Sequence, residues 1–79
     1  MTIATATPTA AQVVTFEELR DLLWEESDAR VLAQTAKAEV TRDTAKRSQQ
    51  RAISAIRELI EGMSAEDIRT WHVWRVKNL

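Results

Sequence analysis

From Val14 onward, hydrophobic residues recur at helical spacing. Phe16, Leu19, Leu22 and Leu23 share one face, and Trp24 points well away from it. Thr15 can cap such a helix, with Glu18 three residues on reaching back to the cap amide, and Val14 and Leu19 sit at hydrophobic-staple positions. The pattern predicts a first helix over residues 16–26. "EESDAR" is the next break: Ser27 or Asp28 can cap a second helix, although no glycine or proline forces a stop and the helix could run through. A turn is favoured there, followed by a long helix over 29–61. Gly62 then stands where a left-handed terminating residue belongs. Ser64 and Asp67 in "SAED" repeat the capping-box spacing and open a last helix over 65–77. Its tail "TWHVWRV" has high β propensity, which leaves residues 69–79 open between helix and strand. The Thr/Ala-rich start around Pro8 reads as a flexible arm over 1–14, with "TIATAT" able to pair as a strand if an edge were offered. Residues 15–79 then form a single helical domain.

The long helix carries a second pattern at seven-residue spacing. Val31, Ala38, Ala45, Ala52 and Leu59 fall in one column; Thr35, Arg42, Gln49, Ile56 and Met63 fall beside it. The seam is large at its ends and small in the middle. A helix of about 34 residues is roughly 50 Å long, whereas the first helix, at about 17 Å, covers only the Val31 end. The last helix can turn at Gly62 and cover Ile56, Leu59 and Met63. That leaves the alanine section without a lid, and the simplest lid is the same helix of a second copy running antiparallel about a two-fold axis. The expected architecture is all-α: one long central helix flanked by two shorter ones. Its homodimer seam is made of Ala38, Arg42, Ala45, Gln49 and Ala52, with Arg42 and Gln49 able to set the register.

Composition narrows the chemistry. The chain has 79 residues, no cysteine, one histidine, one glycine and one proline. Disulfides, thiol zinc sites and histidine-rich metal sites are thereby excluded, and no cofactor is expected. No stretch approaches the roughly 20 apolar residues of a membrane span, and the start lacks the features of a signal peptide, so a cytoplasmic location without membrane contact is expected. A net charge of −1 conceals segregation. Glu17, Glu18, Asp21, Glu25, Glu26 and Asp28 oppose Arg20 early in the chain, while Arg30, Lys37, Arg42, Lys46, Arg47, Arg51 and Arg57 dominate its middle. An acidic element folding back on a basic one accounts for this arrangement, and a basic surface for nucleic acid is the competing account.

Catalysis finds no support. His72 has no nucleophile with an orienting partner, there is no Gly-rich phosphate loop, and the paired acids are sequence neighbours that do not share a helix face. Arg42, Lys46, Arg47 and Arg51 could contact phosphates. On a helical wheel, however, Arg42 and Lys46 lie near one side and Arg47 and Arg51 near the opposite one. Protein binding fits better. Three tryptophans in so short a chain are unusual, and tryptophan is the side chain most enriched at binding hot spots. Trp71 reads as the lid of the core, Trp74 as a contact. Trp24, Trp71, Trp74, Arg75 and Lys77 are the candidate partner-binding residues. His72 between the tryptophans reads as a polar neighbour. The expectation is a small non-catalytic protein that regulates or inhibits a partner protein, in the general style of phage-encoded inhibitors of host machinery. The alternative is a nucleic-acid-binding regulator.

Overall fold

The computed structural model describes residues 7–79, and their regular structure is helical throughout: α1 spans Ala10–Thr35, α2 Glu39–Glu61 and α3 Ala65–Asn78. α1 and α2 form an antiparallel hairpin. Phe16 lies near Leu59 at one end, Glu26 is hydrogen-bonded to Gln49 midway, and Leu32 lies beside Thr41 near the turn. α3 runs parallel to α1 along its first half only. It begins where Asp67 meets Gln12 and ends where the Asn78 carbonyl meets Arg20. The outcome is a three-helix base that narrows to a two-helix arm. The molecule measures 57 × 22 × 17 Å with a radius of gyration of 15.6 Å, against about 12 Å for a compact chain of this length.

The base holds the apolar core. Phe16, Leu19 and Trp71 are buried, and Leu23, Ile56, Leu59, Met63 and Trp74 pack around them. Phe16, Trp71 and Trp74 form an aromatic triangle with all three centroid separations at 5.7 Å. Two capping boxes lock the helix starts together. Thr9 and Gln12 cap α1, Ser64 and Asp67 cap α3, and the Gln12 amide donates to the Asp67 carboxylate at 2.7 Å. Parallel neighbouring helices bring two positive dipole ends side by side, and the Asp67 carboxylate between them offsets that repulsion. These hydrogen bonds, first the one from Gln12 and then the one from the Ser64 backbone, hold Asp67 below the usual carboxylate range.

The helices differ from the sequence expectation in three places: the hairpin turn, the start of α1 and the conformation of Gly62. The hairpin turns at Ala36–Ala38, and Ser27 and Asp28 lie inside α1. No polar cap marks the turn. Ala36 and Ala38 are simply extended, and the Arg42 guanidinium donates to the Ala36 and Lys37 carbonyls at 3.1 and 3.0 Å. Arg42 is thus a tertiary cap for the end of α1, supplying the cation that the last turn of α1 lacks. α1 starts at Ala10, because Thr9 and Gln12 make both bonds of a capping box, while the Thr15 hydroxyl donates back to Ala11 within the helix. Residues 10–14 therefore belong to a helix and not to an arm; residues 1–6, with most of "TIATAT", lie outside those described. Gly62 stays right-handed at φ −82° and ψ −6°, since the chain needs only a brief turn into the Ser64 cap. The Ser64 start of α3 stands as expected, and the terminal stretch is helix through Asn78.

The hairpin also revises the central-helix architecture and the seam. α1, at 26 residues, is longer than α2, at 23. α1 reaches the alanine section: Ala45 lies beside Ala29 and Ala52 beside Leu22, and the two alanines are 3% and 4% exposed. Their lid is α1 of the same chain, so an antiparallel dimer through Ala45 and Ala52 would have to displace it. Gln49 bonds Glu26 of its own chain, and Ala38 is the exposed cap residue of α2.

Candidate protein-docking surface

Past the end of α3 the chain has only two helices to bury its side chains, and the apolar residues of the arm show the consequence. Trp24 is 55% and Val40 76% exposed, with Val31 and Leu32 also open. The arm closes through small and polar residues: Ala29 against Ala45, and Glu26 linking Gln49 at 3.2 Å and Arg30 at 3.9 Å. Alanines bring the two backbones close but give little hydrophobic surface to either helix.

On the side of the hairpin away from α3, small residues leave an open groove. Its middle, about 540 Å³, lies between Leu22 and Glu25 of α1 and Ser48, Arg51, Ala52 and Ala55 of α2. Toward the turn it continues as a second hollow of about 380 Å³, floored by Ala29 and Ala45 and walled by Leu32, Val40, Thr41 and Thr44. Ser48 lines both. The rims carry opposite charge. Glu25 and Asp28 stand on the α1 side and Arg51 on the α2 side, all exposed. The ion pairs among the described residues are Arg20–Asp21 and Arg30–Glu26, so these three rim charges have no ion-pair partner among them.

The candidate contact residues separate into three groups. Trp71 is 7% exposed and serves the core, which withdraws it from any partner. Trp74 is half-buried: its ring stacks on Trp71, packs on Phe16, and lies 5.6 Å beneath the Arg20 guanidinium. Core packing thus takes both tryptophans, where one was expected, because Phe16 offers each an edge. Trp24 stays free on the arm, while Arg75 and Lys77 are exposed near the end of α3. Among the basic residues, Arg42 is committed to the turn. Lys46, Arg47 and Arg51 surround a single shallow depression with Gln50 and Ser54. With Arg42 drawn to the turn, these three border one depression on the outer side of α2.

His72 is exposed, and among the described residues no three His, Asp or Glu side chains gather as metal ligands. No helix among them is long and apolar enough to cross a membrane. The helical pattern alone does not single out Arg20, Leu32, Val40, Thr44 and Ser48. The spacing of Thr41, Thr44, Ser48, Ala52 and Ala55 is the signal that could have found the groove, since it puts small side chains on one helix face. No protein-family model, curated protein or solved structure matches the chain.

Proposed function

We propose that the protein is a non-catalytic protein-binding module that docks through its two-helix arm and regulates or inhibits what it occupies. One observation carries this reading: α3 stops level with Arg20, and Trp24, Val31, Leu32 and Val40 beyond it lie open on a helical framework. Clustered exposed apolar side chains on a small chain are the usual mark of an interaction surface. The Trp24–Val31 flank supplies an aromatic anchor of the kind that dominates interface energetics. Self-association belongs to the same reading, moved from the covered alanine seam to the open groove.

Site-specific photocrosslinking in the native cells tests it. A photoreactive side chain at Val31 or Thr44, both on the arm, should give discrete protein adducts. The same group at His72 on the base should not. Equal capture at His72, or no protein adduct at either arm position, would contradict the reading.

Nucleic-acid binding is the second reading, favoured by the grouping of Lys46, Arg47 and Arg51 on the outer face of α2. Exposed Asp43, Glu58 and Glu61 share that side of the helix and weaken its field. Phosphate binding there should fall steeply with added salt and with Arg47→Glu.

A further inference from the structure

The groove on the arm has an unusual property: its two rims are complementary to each other. An unrelated partner would have to supply matching charge of both signs at the right separation. A second copy of this chain already carries it.

We infer that the groove is occupied by the groove of a second copy, in a parallel dimer that places α1 of each chain over α2 of the other. A two-fold axis along the groove, parallel to the helices, produces this arrangement and keeps every residue at its own height. In the hairpin, Glu25 and Arg51 line the same hollow from opposite sides and so stand at nearly the same height. The rotation therefore sets Glu25 against the partner's Arg51, and Arg51 against the partner's Glu25. The other closed packing of the same faces, with the axis across the helices, lays α1 over α1 and brings Glu25 and Asp28 against their own copies. Like charges at an interface select against that second arrangement.

The floor suits the same occupant. Ala29, Ala45, Ser48 and Ala52 are short enough for four helices to pack at ordinary interhelical distance, and Leu32 and Val40 would leave solvent as they meet across the axis. The face is about 25 Å long and two helices wide, so the pair would bury on the order of 1,000 Å² in total, near the lower limit for a specific interface. An interface of that size depends on its two Glu25–Arg51 pairs, which makes it breakable by charge alone. The dimer also completes the arm: four helices enclose what two leave open. It leaves the Trp24–Val31 flank, on the side of α3, free for another protein.

This inference rests on the arm being a protein-docking surface, and the test separates the two. Sedimentation equilibrium at about 100 µM, a concentration that populates a micromolar dimer, should give twice the mass of one chain for the wild type. Two variants should each be monomeric, with Kd raised tenfold or more and unchanged helicity: Glu25→Arg, and Arg51→Glu. Mixed in equal amounts, the two should form a heterodimer, because each then presents the charges the other lacks. This recovery excludes misfolding as the reason each fails alone. A monomeric wild type overturns the second copy as occupant; if photocrosslinking at Val31 and Thr44 also captures no other protein, the docking reading falls with it. A dimer indifferent to both variants, or a mixture that stays monomeric, overturns the groove-to-groove arrangement.

Discussion

The base and the arm are made by the same two helices, yet they are held together differently. In the base, Phe16 and Leu19 of α1 meet Ile56 and Leu59 of α2 under a roof of Trp71 and Trp74, and hydrophobic burial dominates. In the arm the same helices meet through Ala29, Ala45 and Ala52, one Gln49–Glu26 hydrogen bond and the Arg42 cap, while the large apolar side chains face outward. Buried core and open apolar surface thus lie at opposite ends of one hairpin. A third helix that covers half of its hairpin creates a core and an unfinished surface together.

The largest effect should come from the aromatic triangle. Phe16→Ala removes a fully buried ring shared by both tryptophans and should cost about 3–5 kcal/mol, a large share of the total stability of so small a domain. Trp24→Ala, on the arm, should change stability by less than about 0.5 kcal/mol. Urea unfolding of the two variants checks the pair, and equal losses would erase the distinction between base and arm.

Ala45→Leu asks how closely the arm helices must approach. Ala45 is buried against α1, so the larger side chain should splay the hairpin and cost about 1–3 kcal/mol. Loss of the Gln49–Glu26 contact should be visible by NMR, with the indole signals of Trp71 and Trp74 unmoved. Arg42→Ala should cost about 1 kcal/mol by freeing the turn carbonyls, and amide exchange should speed up around Leu32–Val40 and nowhere in α3.

Acid should act on the opposite end. The Asp67 carboxyl titrates lower in the folded chain than in the unfolded one, so its stabilising contribution is present above the ordinary carboxylate range. That contribution is lost as pH falls below about 4. Thermal melts should show this decline in the wild type and a smaller one in Asp67→Asn.

The sequence made the base legible and the arm misleading. The α3 start was readable because Ser64 and Asp67 satisfy two backbone amides within four residues, a purely local arrangement. The Phe16–Leu19–Leu22–Leu23 face was readable because burial there follows helical period. The turn at Ala36–Ala38 was not, because its cap is Arg42, a side chain folded back from the next helix, and because alanine and lysine suit a helix as well as a bend. A turn at Ser27 makes α1 too short to cover Ala45 and Ala52, and the alanines then read as an intermolecular seam. The groove could appear only after the true register set Ala29 beside Ala45. The core packing of Trp74 is hidden for a related reason: a helical wheel of α3 alone cannot show Phe16 and Arg20 rising from α1 to meet its two sides.

Hydrogen exchange measured amide by amide in dilute and in concentrated protein addresses the division of labour most directly. The expected result is strong protection of α1 around Phe16–Leu23 and of α2 around Ile56–Leu59 at both concentrations. Protection in Glu25–Thr35 and Val40–Gln49 should be weak in dilute solution and rise at least tenfold when the protein is concentrated. Uniform protection of base and arm that ignores concentration would contradict it.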